Sequence, residues 1–221
     1  MIIVFRGTDE ADDWWTNLDA RSLTTPHGEI HEGFHNALDE LWPDTAVPDA
    51  GTATGKSKGG MLQTVKALQA GKNAKRPVMI GGHSLGAALA SIAAARLALD
   101  VPEVEVTRVE TIGSPRVFDQ NYAAVYDKTL KDKTFRVVNN NDGVPRMPPG
   151  LEHVGTEIYI NSSGTVGKDT FMAFFRGIWK GLWNWNFMDP LNDHATKLYV
   201  EALANIATQE TEKAAAAAPK A

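Results

Sequence analysis

The 221-residue sequence contains no cysteine. Disulfide frameworks, cysteine-ligated zinc or iron–sulfur sites and thiol nucleophiles are therefore excluded. A basic surplus is also lacking, because 22 Lys and Arg residues stand against 27 Asp and Glu residues, for a net charge of −5. Proteins that bind nucleic acid cluster basic side chains against the phosphates. We therefore expect no nucleic-acid partner.

Long apolar runs are missing as well. A membrane-spanning helix needs about 20 consecutive apolar residues, and the most apolar stretch, residues 171–188, is interrupted by Arg176 and Lys180. We therefore expect no transmembrane segment. The first eight residues carry no basic segment ahead of their apolar run, so they predict a strand rather than a signal peptide.

The residues that are present form an ordinary globular composition, with 43% hydrophobic and 22% charged residues. Short β-branched runs alternate with amphipathic segments. This pattern predicts strands near residues 2–5, 77–81, 104–112, 134–138 and 157–160, and helices near 9–20, 34–41, 61–68, 85–99, 169–183 and 195–207. Such alternation predicts the α/β class, with a mostly parallel central sheet and helices on both faces. We assign residues 1–207 to one domain and the alanine-rich residues 208–221 to a low-complexity C-terminal tail.

Three short motifs suggest different chemistry. Residues 82–86 (Gly-His-Ser-Leu-Gly) fit the G-x-S-x-G motif of serine hydrolases. Residues 31–35 (His-Glu-Gly-Phe-His) fit the two-histidine zinc motif, and residues 50–57 (Ala-Gly-Thr-Ala-Thr-Gly-Lys-Ser) nearly fit a phosphate-binding loop. Each motif requires its own structural context, so the context decides among them.

The zinc motif requires two histidines on one helix face and a third protein ligand. His31 follows a turn, Gly33 weakens a helix between the histidines, and Leu41 stands where the extended motif has a third histidine. These features favour a helix entry in which the histidines pack and form hydrogen bonds. A zinc peptidase that uses His31, Glu32 and His35 remains an alternative from another class.

The phosphate-loop motif requires a buried strand directly before it and a helix directly after it. Residues 44–49 contain Pro48 and no apolar run, and two glycines at 59 and 60 follow the motif. A surface loop therefore explains residues 50–57 better than a nucleotide site.

The serine motif has the context that its chemistry requires. A predicted strand precedes Ser84, and an uninterrupted alanine-rich helix follows it. This arrangement is typical of a nucleophile on a tight strand-to-helix turn, where the helix N-terminus faces developing negative charge. A serine hydroxyl needs a histidine base and an orienting acid, and in this arrangement both follow the serine in the chain.

Two histidines and two acids qualify as partners of Ser84. His194 lies in a loop before the last helix, whereas His153 lies between a proline-rich turn and a strand. Asp142 follows the strand that ends near residue 138, where α/β sites are assembled. Asp119 is the alternative acid, and spacing alone does not separate the two.

Seven stretches, in order and spacing, resemble the class 3 (fungal-type) lipase family of the α/β-hydrolase fold. These stretches are residues 3–8, 13–18, 30–34, 82–90, 113–117, 141–149 and 193–199. Together they cover residues 2 to about 206. Family members have further elements before the Phe-Arg-Gly strand, so the resemblance implies a fold that is N-terminally truncated relative to the family.

The resemblance implies roles for individual residues. It implies Ser84 as the nucleophile, His194 as the general acid and base, and Asp142 as the acid that orients the histidine. It also implies an oxyanion hole formed by the backbone N–H groups of Thr8 and Leu85. No metal and no organic cofactor are then needed.

Residues 9–20 match the family's lid, a short helix over the site. Trp14, Trp15 and Leu18 are its expected contacts with substrate. Residues 171–187 form a second aromatic segment, which suits core packing or an acyl-chain wall.

The expected function is hydrolysis of carboxylic esters, most directly triacylglycerols, at a lipid–water interface. A phospholipase A1, or an esterase for soluble or feruloyl esters, is the alternative within the fold. A catalytically inactive binding protein on this fold is a further alternative from another class. The resemblance also suggests secretion.

Overall fold

The computed structural model describes residues 1–7, 21–43, 60–70, 76–167 and 194–217. Within these ranges the strands are β1 (Ile2–Phe5), β2 (Ser22–Thr25), β3 (Gly28–His31), β4 (Val78–His83), β5 (Val106–Ile112), β6 (Thr134–Asn139), β7 (Thr156–Ile160) and β8 (Val166–Gly167). The helices are α1 (Glu32–Asp39), α2 (Met61–Leu68), α3 (Leu85–Asp100), α4 (Gln120–Leu130) and α5 (Thr196–Ala217), with short 3₁₀ turns at Lys131–Lys133 and Val144–Arg146.

Six strands form one sheet in the order β1-β4-β5-β6-β7-β8. All neighbouring pairs from β1 to β7 are parallel, and only β8 joins antiparallel. Parallel neighbours require crossover connections, and α3 and α4 supply two of them. The predicted mostly parallel sheet is therefore confirmed.

Helices cover both faces of this sheet. Ile80 and Val109 are paired across β4 and β5 and belong to the main core with α3. Ile112 lies three residues beyond Val109, so its side chain points to the opposite face. There it joins a smaller cluster in which Tyr199 of α5 packs against Val137. The prediction of helices on both faces is confirmed.

Besides the two-residue strand β8, two features of the fold were not predicted from the sequence, a hairpin and a helix. Strands β2 and β3 form an antiparallel hairpin around the segment that the sequence marks only as a turn. Helix α4 is the other, and it buries Tyr122, Ala123, Tyr126 and Leu130. Two tyrosines and an alanine make a weak apolar stripe, which explains why the pattern does not predict this helix.

Helix α5 extends to Ala217, ten residues beyond its predicted end near residue 207. The added residues are mostly alanine, glutamate and lysine, which are strong helix formers. The helices predicted near residues 9–20 and 169–183 lie outside the described residues. Among the helices that the structure describes, none combines the length and apolarity needed to span a membrane.

Candidate active site

Ser84 occupies a strained turn between β4 and α3. Its backbone has φ 59° and ψ −127°, a conformation that non-glycine residues rarely adopt and that is found mainly at functional sites. Glycines make the turn possible, because a Cβ at Gly82 would overlap the carbonyl oxygen of Gly86, and a Cβ at Gly86 would overlap that of Phe5. The local sequence therefore folds as the predicted strand–serine–helix turn.

Leu85 is the first residue of α3, directly after Ser84. The N–H groups of a helix's first turn point out of its N-terminus, where the helix dipole is positive. The end of β1 approaches the same place, since a Cβ at Gly7 would lie 3.4 Å from the Ser84 Cβ. Thr8, the other expected oxyanion residue, lies outside the described residues.

Asp142 and His194 form a buried pair close to this turn. The Asp142 side chain follows β6 and is fully buried, and its Oδ2 accepts a hydrogen bond of 2.9 Å from His194 Nδ1. With the proton on Nδ1, the lone pair of the His194 ring lies on Nε2, as a general base requires. The structure thus brings together the acid and the histidine that the family resemblance selects.

Two further groups hold the Asp142 carboxylate. The Tyr199 hydroxyl donates to Oδ2 at 2.6 Å, and the Val144 backbone N–H donates to Oδ1 at 2.9 Å. The Tyr199 oxygen also accepts from the Asn139 N–H at 3.0 Å. Sequence reasoning did not assign a role to Tyr199. Its position five residues after His194, one helical turn into α5, is the signal that could have found it.

Ser84 and His194 line one cavity of about 740 Å³, together with Phe5, Arg6 and Ile112. Ser84 Oγ is buried and forms no hydrogen bond with any of the described residues. Hydrogen bonds of catalytic groups are often long without substrate and tighten when it binds. The arrangement can support proton transfer from a serine hydroxyl to a histidine held by a carboxylate.

The alternative acid and the alternative histidine serve other purposes. Asp119 is the N-cap of α4, where its Oδ1 accepts from the Tyr122 N–H at 2.8 Å. His153 Nε2 donates to the Pro145 carbonyl at 2.5 Å, and burial, reinforced by nearby arginines, lowers the pKa of His153 well below 6.5. Neither residue lines the cavity that contains Ser84.

The two histidines of the zinc motif also serve different structural purposes. His31 is the N-cap of α1, and its Nδ1 accepts from the Phe34 N–H at 3.3 Å. His35 lies within the helix, 3.3 Å from a carboxylate oxygen of Asp39. No group of three potential metal ligands occurs among the described residues. Residues 50–57, the phosphate-loop motif, lie outside those residues.

The expected lid contacts Trp14, Trp15 and Leu18 also lie outside the described residues, as does the aromatic segment 171–187. The lid therefore stays a prediction.

A strand–serine–helix turn at the carboxyl edge of a mostly parallel sheet, beside a His–Asp pair supplied by later loops, defines the α/β-hydrolase fold. The family model for lipase (class 3) matches residues 2–152. The chain therefore belongs to the class 3 lipase family.

Individual relatives are consistent with this membership. The secreted mono- and diacylglycerol lipase LIP2 of Malassezia restricta is 30% identical over 162 residues, which cover 70% of this chain and 45% of that protein. Phospholipase A1-II 3 of Oryza sativa subsp. japonica is 26% identical over 180 residues, covering 73% of this chain and 42% of the relative. The chain thus spans less than half of the length of these relatives.

A solved structure has the same fold. The triacylglyceride lipase of Rhizomucor miehei superimposes with a TM-score of 0.59 at 25% sequence identity, covering 75% of this chain and 58% of the other.

Proposed function

We propose that the protein hydrolyses carboxylic esters through an acyl-enzyme, with Ser84 as nucleophile, His194 as general base and acid, and Asp142 as the orienting acid. The observation that carries the proposal is the buried Asp142–His194 hydrogen bond beside the cavity that His194 shares with Ser84. The bond holds the ring in the tautomer that accepts a proton on Nε2.

In the proposed reaction, Ser84 Oγ attacks the ester carbonyl while His194 Nε2 takes its proton. His194 then delivers this proton to the leaving alcohol, which departs as the C–O bond breaks. A water molecule attacks the acyl-enzyme, gives its proton to His194 and releases the acid, after which Ser84 recovers its proton. Asp142 stays ionised and stabilises the imidazolium that forms twice in the cycle.

Negative charge on the carbonyl oxygen requires hydrogen-bond donors that are in place before the reaction. The N–H group of Leu85 at the start of α3 suits this role, and Thr8 is the proposed second donor because β1 leads towards Ser84. Loss of one such donor typically costs about 10²–10³ in kcat.

Acylglycerols are the proposed substrates. The cavity beside Ser84 has apolar walls from Val4, Phe5 and Ile112, which suit an acyl chain. The names of the relatives, a mono- and diacylglycerol lipase, a triacylglyceride lipase and a phospholipase A1, all describe cleavage of esters of glycerol. A phospholipase A1 is the second candidate, favoured by the rice relative. A soluble-ester or feruloyl esterase is the third, and secretion is proposed from the secreted relative.

The first test is hydrolysis of a short-chain p-nitrophenyl ester by wild type and by Ser84→Ala. We expect the variant to lose roughly 10⁴–10⁶-fold in kcat and to escape labelling by a fluorophosphonate that modifies the wild type. Retained hydrolysis in Ser84→Ala would contradict the proposal. It would bring back the zinc alternative, which dialysis against a chelator and metal analysis would then examine.

Two aspartates provide a matched comparison of the acid. Asp142→Asn should lower kcat by about 10⁴-fold, because the histidine loses its oriented tautomer. Asp119→Asn makes the same change in charge, but at the N-cap of α4. It should leave kcat within about twofold of the wild-type value, and it should cost less than about 1 kcal/mol of stability because asparagine also caps helices. Equal losses in both variants would refute the assignment of Asp142.

Substrate class and the lid are tested with tributyrin across its solubility limit. A rate that rises when droplets form supports a lipase whose lid opens at an interface, with Trp14, Trp15 and Leu18 as contacts. Saturation below that limit supports a soluble-ester esterase. Release of fatty acid from phosphatidylcholine vesicles in place of triacylglycerol supports the phospholipase.

A further inference from the structure

His83, the last residue of β4, packs directly against His194. Their rings stack with centroids 4.7 Å apart and planes inclined by 28°. His83 Nε2 donates to the backbone carbonyl of His194 at 2.9 Å. Since a carbonyl can only accept, this bond requires a proton on Nε2, and the Thr196 hydroxyl, 3.2 Å from Nδ1, is then the donor to that nitrogen.

We infer that His83, in its neutral Nε2–H form, is a positioning residue for the histidine of the proposed triad. It holds the ring and the backbone of His194 in the cavity that His194 shares with Ser84. The inference rests on the proposed function. It assigns His83 no contact with substrate and no proton transfer of its own.

The need for such a contact follows from the chain path. His194 is 111 residues from His83 in sequence and lies just before α5. The four residues that follow His194, residues 195–198, are exposed. The bond from Nδ1 to Asp142 fixes one edge of the ring but does not by itself prevent rotation about that bond. Stacking restrains that rotation, and the bond to the carbonyl restrains the backbone that carries the ring. A displacement of 1 Å in a catalytic group can cost about 10²-fold in rate.

The charge state of His83 is part of this arrangement. Burial, and next the neighbouring His194, lower the pKa of His83 below 6.5, while its bond to the His194 carbonyl and Asp142 oppose the shift. The Tyr199 ring also packs edge-to-face with the His83 ring, with centroids 5.8 Å apart, and Arg6 and Glu110 line the same cavity. His83 is therefore neutral at neutral pH.

A protonated His83 would act against the reaction in two ways. It would place a positive charge on the ring stacked against His194, which itself becomes positive in the proposed transition state. It would also turn Nδ1 into a donor and remove the acceptor of the Thr196 hydroxyl. Protonation of His83 in acid should therefore add to the loss of activity of the wild type.

Three variants separate the two contacts. His83→Gln retains a side-chain donor for the His194 carbonyl and loses the ring, His83→Phe retains the ring and loses both hydrogen bonds, and His83→Ala loses everything. We expect kcat on a p-nitrophenyl ester to fall by about tenfold in the first two variants and about 10²-fold in His83→Ala, with KM within about threefold. His27→Gln is the control, since His27 pairs with Asp100 at the far end of α3.

The pH profile provides the readout that a purely structural role would not change. As the pH falls below 6.5, log(kcat/KM) of the wild type and of His27→Gln should fall more steeply than that of His83→Gln and His83→Phe, because only the first two proteins carry the His83 ring that can take up an inhibitory proton. Equal kcat and equal slopes in wild type, His83→Gln and His83→Phe would overturn the inference. If His83→Ala does not fold, as judged by its melting curve, the other two variants decide.

Failure of the inference differs from failure of the proposed function. A wild type without ester hydrolysis, or a Ser84→Ala variant as active as wild type, would reject the proposed triad. In that case the low-field proton NMR signal of the His194 Nδ1–H, bonded to Asp142, still tests the positioning. It should be sharp in wild type and in His27→Gln and broadened by faster exchange in His83→Ala. An unchanged signal would overturn the inference.

Discussion

Replacing Tyr199 with phenylalanine should destabilise the protein markedly. The change removes one oxygen that makes two buried hydrogen bonds, to Asp142 Oδ2 at 2.6 Å and to the Asn139 N–H at 3.0 Å. A hydrogen bond to a charged group contributes about 1.5–3 kcal/mol and a neutral one about 1 kcal/mol. We therefore expect the free energy of unfolding to fall by about 2.5–4 kcal/mol. For a domain of this size, the melting temperature should fall by roughly 5–15 °C.

Tyr126→Phe is the matched control. Tyr126 is equally buried, but among the described residues its hydroxyl bonds only to the neutral Thr134 hydroxyl, at 2.9 Å. This variant should lose about 1 kcal/mol and retain wild-type kcat, whereas Tyr199→Phe should also lose activity because Asp142 loses a donor. Urea denaturation followed by circular dichroism gives both stabilities. A loss below about 0.5 kcal/mol in Tyr199→Phe, typical of surface changes, would refute the reasoning.

Two further predictions concern a glycine and a buried histidine. Gly113→Ala should lower kcat by about 10²-fold, because its Cβ would lie 2.9 Å from His194 Cε1 and 3.0 Å from Asp142 Oδ2. Gly150→Ala is the control, because Gly150 also has positive φ but open space around it. This variant should lose about 1 kcal/mol of stability from backbone strain alone and retain activity. Similar kcat values in Gly113→Ala and Gly150→Ala would show that the contact of the Gly113 Cβ with His194 and Asp142 is harmless. Burial, with nearby arginines, holds the pKa of His153 well below 6.5 in the folded protein. Below pH 6.5 the unfolded chain therefore binds a proton that the folded chain does not, and stability should decline as pH falls, by up to about 1.4 kcal/mol per pH unit for this residue. His153→Gln should make the dependence of melting temperature on pH shallower between pH 6.5 and 4.5, and an unchanged slope would show that His153 titrates normally.

The parts of the fold that the sequence predicts are those with a strong local signal. Strands β4 to β7 are short segments with several β-branched residues each or an apolar start, and turn residues follow them. Helix α3 is buried along most of its length, so composition alone predicts it. Helix α4 lacks such a signal, because its buried residues include two tyrosines and an alanine. The hairpin strand Ser22–Thr25 is only half-buried, and its residues carry little periodic pattern.

The same distinction applies to the candidate site, where some residues are predicted by their neighbours in sequence and others are not. Ser84 is marked by its own neighbours, since the glycines at 82 and 86 are required by backbone contacts within the turn. Its partners come from distant loops, and the sequence left two acids and two histidines open until the resemblance selected among them. Only the folded chain brings Asp142 and His194 together and uses Asp119 as a helix cap. The stacking of His83 on His194 is likewise a tertiary contact.

The small cluster beneath α5 has a consequence for how the protein responds to heat. Tyr199 is fully buried there, Ala202, Leu203 and Ile206 are partly buried against the same cluster, and Leu198 and Val200 are exposed. Among the described residues, α5 is therefore attached through fewer fully buried side chains than α3. Segments with few buried contacts open locally at a lower free energy than the core. A subglobal opening of α5 would move His194 and Tyr199 away from Asp142 together, while the sheet and Ser84 remained folded. Catalytic output would then report the docking of one helix, and it would disappear on warming before the bulk of the secondary structure melts.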